Sequence, residues 1–153
     1  MRVLIVEDEL FGRVFLQQLL KGYGTCDMAT NGEEAVDMYY KAKASGEPYE
    51  LICLDVIMPV MDGFEVLKTI RESEEKEGIS KEEKTKIVMT TALKEEKDVR
   101  AAFELGCTVY CEKPIEPAKF WNVLRKLGYT KEPTVNVQQW NYVVTNHITH
   151  TSS

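Results

Sequence analysis

The chain has 153 residues, 44% of them hydrophobic and 29% charged, enough for one domain with a real core and too few for two comfortable ones. A net charge of -6 argues against a nucleic-acid grip that works by neutralising phosphates. No apolar run approaches membrane-spanning length and no basic region precedes an apolar one at the amino terminus, so the expected address is the cytoplasm.

Arg2 to Val6 is a compact apolar run that reads as a first strand, and Glu7-Asp8-Glu9 follows at once. Leu10 to Lys21 reads as an amphipathic helix with Phe11, Val14, Phe15 and Leu19 near helical spacing, ended by Gly22 and Gly24. Thr25 to Ala29 is a second short strand, closed by Asn31-Gly32. A second helix runs from about Glu33 to Ala44, with Ala35, Val36, Tyr39 and Tyr40 on or beside its inner stripe. Leu51-Ile52-Cys53-Leu54 is a continuous apolar run, the signature of a strand buried on both faces. It ends on Asp55, where burying a charge is costly unless something compensates.

Met58-Pro59-Val60-Met61-Asp62-Gly63 then breaks the chain, and Phe64, Leu67 and Ile70 mark a third helix. Glu72 to Lys84 is dense in Glu and Lys and reads as a helix end and solvated loop. Lys86 to Thr90 is a fourth strand, and Lys94 to Leu105 a fourth helix stopped by Gly106. Thr108 to Cys111 is a fifth strand, and Pro117 opens a fifth helix whose face is Phe120, Leu124 and Leu127, with Trp121 beside it. The four cysteines, Cys26, Cys53, Cys107 and Cys111, form no Cys-x-x-Cys pair and read as small buried hydrophobes in a reducing compartment.

Five alternations of strand and helix predict a doubly wound α/β fold, a five-stranded parallel sheet of order 2-1-3-4-5 covered on both sides. The domain spans 1–128, and 129–153 is a C-terminal tail. Within the tail, 134–145 alternates apolar and polar residues as an extra edge strand would, and such a strand needs a sheet edge of its own chain or of a second subunit. His147 and His150, the only histidines, read as part of that tail rather than as a metal site.

In that topology the first and third strands are neighbours, so Glu7, Asp8 and Asp55 share one sheet edge. Two like charges about 4 Å apart cost roughly 4 kcal/mol at an effective dielectric near 20, so three carboxylates call for a bound cation or raised pKa values. Oxygen donors without His or Cys favour Mg²⁺. Thr91 after strand four and Lys113 after strand five project to the same edge. Together they describe an Asp nucleophile accepting a phosphoryl group, with a metal and a lysine stabilising the charge.

The sequence resembles the receiver domain of two-component response regulators over about residues 1–128. The resemblance rests on Glu7-Asp8, on Asp55 with its Met-Pro-x-Met-Asp-Gly tail, on Thr91-Ala92, and on Lys113-Pro114-Ile115. It implies a flavodoxin-like signalling switch rather than an enzyme. Asp55 is then the phosphoacceptor for a partner histidine kinase or phosphotransfer protein. Glu7, Asp8, the Asp55 carboxylate and the Ile57 backbone carbonyl hold Mg²⁺, and Lys113 binds the phosphoryl group. Thr91 moves toward it, Tyr110 turns inward behind Thr91, and the Lys113–Pro114 peptide is cis. The output surface, for a protein target or second subunit, is helix four, strand five and helix five, with no nucleic acid and no membrane involved.

Glu7 departs from the Asp that many members carry. Ile57 and Leu93 are apolar where the family borders the path of an attacking water, which implies a long-lived phosphoryl-Asp55. Met1 directly before the first strand fits a free-standing chain, with a phosphoryl donor from outside. An aspartyl-phosphate enzyme of the haloacid dehalogenase type fits less well, because it wants an acid at position 57. A flavin binder fits less well because Glu7-Asp8-Glu9 repels phosphate.

Overall fold

A computed structural model describes residues 1–131. Strands and helices alternate: β1 (Arg2–Val6), α1 (Leu10–Leu19), β2 (Thr25–Ala29), α2 (Gly32–Ala44), β3 (Leu51–Leu54), α3 (Gly63–Lys76), β4 (Lys86–Thr91), α4 (Glu96–Glu104), β5 (Val109–Glu112) and α5 (Pro117–Lys126). All strands pair in parallel, and the sheet order is β2-β1-β3-β4-β5, as the alternation predicts. The edge strand expected at 134–145 lies outside the described residues, as do His147 and His150.

The sheet is buried on both faces because alternate residues of each central strand feed different cores. Leu4, Val6, Ile52, Leu54, Ile87 and Met89 pack toward α2, α3 and α4, where Ala35, Tyr39, Leu67 and Ile70 meet them. Val3, Ile5, Leu51, Cys53 and Val88 pack toward α1 and α5, against Leu16, Leu19, Leu20, Phe120 and Leu124. Fully burying one such aliphatic side chain contributes roughly 1.5–3 kcal/mol, so the middle of the sheet carries much of the stability.

Two side-chain caps fix helix starts near the carboxyl ends of the strands. Asn31 accepts the Glu34 N–H at 2.8 Å, and Asp62 accepts the Glu65 N–H at 2.9 Å. Next to the second cap, Gly63 leaves no room for a side chain. A Cβ there would sit 2.1 Å from the Asp55 carbonyl oxygen. The glycine lets α3 start directly against the end of β3.

Several local expectations change. In α1 the buried stripe is Leu16 and Leu19, continued by Leu20, while Phe11 is 88% exposed and Val14 and Phe15 are also largely in solvent. In α2 Tyr39 is buried but Tyr40 is exposed. Helix α4 begins at Glu96, leaving Lys94 in the preceding loop.

The charged stretch after Arg71 is not all solvated. Glu74 is buried and accepts from Arg71 Nη1 at 2.6 Å and from the Thr85 N–H at 2.8 Å. Arg71 also donates to the carbonyls of Thr85 and Gly106, each at 2.8 Å. This network ties the end of α3 to the start of β4 and to the turn before β5. Glu74→Ala removes the counter-charge of the half-buried Arg71 guanidinium and leaves the Thr85 N–H unpaired, and is expected to cost about 3 kcal/mol in urea denaturation. Glu72→Ala, on the exposed side of the same helix, is expected to change stability by less than about 0.5 kcal/mol.

Candidate functional site

The register of the sheet assembles one acidic edge. Val6 pairs with Leu54, and the Asp55 N–H donates to the Val6 carbonyl at 3.0 Å. The first residues past β1 and β3 therefore emerge side by side. Glu7, Asp8 and Asp55 each offer a carboxylate oxygen within 4.8 Å of the others. Glu7 and Asp55 are buried, while Asp8 is exposed.

On the other side, Thr91 pairs with Glu112, and the Lys113 N–H donates to the Thr91 carbonyl at 2.8 Å. This brings the lysine across to the acids. Lys113 Nζ donates to Glu7 Oε2 at 2.7 Å and to Asp55 Oδ2 at 2.9 Å. The Lys113–Pro114 peptide is cis.

One ammonium thus faces three carboxylates, and the imbalance shows in the titration of Glu7. Burial pushes its carboxyl up to about 7, the Lys113 hydrogen bond opposes this, and the Asp55 charge adds to the rise. Burial works against the Lys113 charge, but its hydrogen bonds to Glu7 and Asp55 prevail and its pKa is raised. Oxygen donors alone line the edge, which is the chemistry of a hard divalent cation such as Mg²⁺. The four thiols are held protonated by burial, Cys107 near 11 and the others also above their ordinary value, so they add no soft ligand.

Around this core, Asp55 Oδ1 accepts only a long 3.3 Å contact from the Ile57 N–H. The Ile57 side chain is exposed and Leu93 is half-buried. Thr91 is fully buried, and its hydroxyl accepts the Leu93 N–H at 3.3 Å. The Tyr110 hydroxyl donates to the Leu93 carbonyl at 2.8 Å, and burial pushes its pKa up to about 12. The loop after β4 therefore connects Thr91 with Tyr110.

Two features were not read from the sequence. Arg13 Nη1 donates to the backbone carbonyls of Glu7 at 3.0 Å and Asp8 at 2.8 Å, clamping the acidic turn to α1. A lone arginine early in a helix gives no sign that backbone oxygens receive it. The exposed face of α1 also borders the site. Phe11, Val14 and Phe15 line a groove of about 610 Å³ with Pro114 and Ile115, and Glu7 and Lys113 lie in its wall. The phenylalanine spacing is the available signal, but the same spacing fits a core stripe.

Comparison with known proteins gives the same picture. Residues 3–125 match the family described as response regulator receiver domain. Two-component response regulator 24 of Arabidopsis thaliana is 35% identical over 127 residues, covering 82% of this chain and 83% of that protein. Probable histidine kinase 2 of Oryza sativa subsp. indica is 36% identical over 126 residues, 76% of this chain, but this chain spans only 12% of that protein's length. The CheX-CheY-BeF3-Mg+2 complex from Borrelia burgdorferi is similar in structure, with a TM-score of 0.70 and 29% identity over 83% of this chain and 89% of that one. With the family match spanning residues 3–125, the chain belongs to the receiver domain family of two-component response regulators.

Proposed function

We propose that the chain is a signalling switch that accepts a phosphoryl group on Asp55, with Mg²⁺ as cofactor. The observation that carries this reading is the Lys113 ammonium within hydrogen-bond reach of both Glu7 and Asp55, beside a third carboxylate on Asp8. Glu7, Asp8, the Asp55 carboxylate and the Ile57 carbonyl would hold Mg²⁺, which lowers the cost of adding negative charge to an acidic edge. The solved structure from Borrelia burgdorferi carries Mg+2 by name, which supports the assignment.

In the reaction an Asp55 carboxylate oxygen attacks the phosphorus of a phosphohistidine or small phosphodonor. The bond from phosphorus to the donor breaks, and the donor leaves with the bonding pair. Lys113 then turns from Asp55 Oδ2 to a phosphoryl oxygen as a charge-assisted donor. The donor is a histidine kinase or phosphotransfer protein. It would reach Asp55 across the exposed apolar face of α1, whose Phe11 and Phe15 border the Lys113 side of the site.

The output is a change of surface. A phosphoryl oxygen offers the Thr91 hydroxyl a better partner than the 3.3 Å contact with Leu93 N–H. Movement of that loop releases the Tyr110 hydroxyl from the Leu93 carbonyl and reshapes α4, β5 and α5 for a protein target or second subunit. Moving such a switch from 1:99 to 99:1 needs about 5.5 kcal/mol of differential binding, which several charge-assisted hydrogen bonds can supply. Residues 1–128 form the switch, and Tyr129 still packs against its second core beside Leu127.

Incubation with phosphoramidate and Mg²⁺ is expected to add one phosphoryl group, seen by mass spectrometry, and Asp55→Asn is expected to abolish it. Ile57 and Leu93 offer an in-line water no side-chain hydrogen bond, so the adduct is expected to persist for minutes. Loss within seconds would contradict that part of the reading. The pH dependence has a definite sign. In metal-free protein the raised Glu7 carboxyl makes the fold bind the extra proton, so stability rises as pH falls through about 7 and levels off below its unfolded value of 4.5. Mg²⁺ affinity is expected to move the opposite way, weakening below pH 7 as protons compete for Glu7. Thermal melts in chelator and Mg²⁺ titrations over this range check both.

A further inference from the structure

Glu7 is a long side chain in a short space. It is 1% exposed, and it bends so that Oε2 reaches Lys113 at 2.7 Å while Oε1 lies 3.4 Å from the Glu9 N–H. Asp55 stands on one side and Lys113 on another. The remaining side is roofed by α1, and the residue of α1 directly above is Gly12. A Cβ on Gly12 would lie 2.8 Å from Glu7 Cγ and 2.9 Å from Cδ, well inside the roughly 3.5–4.0 Å of favourable carbon contact.

Nothing in the backbone asks for glycine there. Gly12 lies inside a regular helix and is not among the glycines of positive φ. Glycine is a poor helix residue, and alanine would ordinarily stabilise that position. The remaining reason for it is the methylene-rich arm of Glu7 packed against its α-carbon. Arg13 follows immediately and clamps the Glu7 and Asp8 carbonyls, so the helix cannot lift away without releasing the acidic turn.

We propose that Gly12 is the positioning residue for Glu7: its missing side chain is the space in which the longer acid bends to meet Lys113 and Asp55. The consequence for Mg²⁺ rests on the function proposed above, whereas the packing relation does not. The nearest atom to the missing Cβ is Glu7 Cγ, which an aspartate would keep, so the space is emptied only when the arm beyond Cβ is removed, as in alanine.

The test is a double-mutant cycle of Gly12→Ala and Glu7→Ala with two readouts. One is the thermal midpoint in chelator. The other is the Mg²⁺ dissociation constant, followed by the amide resonances of Asp8 and Ile57. Alone, Gly12→Ala is expected to lower the midpoint and weaken Mg²⁺ about tenfold, as contacting residues that couple by roughly 1.4 kcal/mol would. In the Glu7→Ala background the same change is expected to raise the midpoint, by helix propensity, and to leave the remaining Mg²⁺ affinity within about twofold.

Equal shifts in both backgrounds, whichever their sign, overturn the proposal. If Gly12→Ala alone does not fold, recovery by Glu7→Ala supports it and failure in both backgrounds overturns it. Should the parent chain bind no Mg²⁺, the functional reading fails, while the chelator melts still decide whether Gly12 and Glu7 are coupled.

Discussion

The Lys113 ammonium reaches two buried carboxylates at once, and the rest of the sheet edge is arranged around that double ion pair. Breaking it by removing the lysine would leave Glu7 and Asp55 as uncompensated charge next to an apolar sheet. Keeping it still leaves more carboxylates, with Asp8, than the one ammonium can offset, so the edge attracts further positive charge. The ion pairing and the affinity of the edge for cations thus have a single origin: an acidic surplus held in place by packing that would normally exclude it.

That packing is supplied by backbone more than by side chains near the site. Parallel pairing places the ends of β1 and β3 in register, so the acids meet without any loop having to steer them. Gly63 lets α3 begin against the Asp55 carbonyl, and Asp62 caps the same helix from just outside. Arg13 secures the opposite side by holding two carbonyls. Rigid elements fix the positions of the charged groups, and the loop after β4 carries Leu93, whose backbone both Thr91 and Tyr110 contact.

The sheet order was legible because β1, β3 and β4 are short apolar runs with nothing to pair except one another; an acid follows β1 and β3, and β4 closes on the hydroxyls of Thr90 and Thr91. The inward face of α1 was not legible. Phe11, Val14 and Phe15 fit helical spacing as well as Leu16, Leu19 and Leu20 do, and periodicity cannot choose between two apolar stripes on one helix. Glu74 was misread for another reason: its partners, Arg71 and the Thr85 backbone, define a buried pocket only once β4 has docked. The Arg13 clamp was invisible because its acceptors are carbonyl oxygens, which every residue has. Chain pattern locates strand ends well, but it says little about contacts whose second member is backbone or distant in sequence.

The state of the sulfur atoms has a consequence for durability. Cys53 lies at the centre of the sheet and Cys107 under the turn before β5, both sealed from solvent, and all four thiols keep their protons well above neutral pH. A thiol rather than a thiolate reacts slowly with peroxide and with electrophiles. Thiolate chemistry is therefore disfavoured in the folded chain near neutral pH, so the sulfur atoms serve as packing groups rather than as reactive ones.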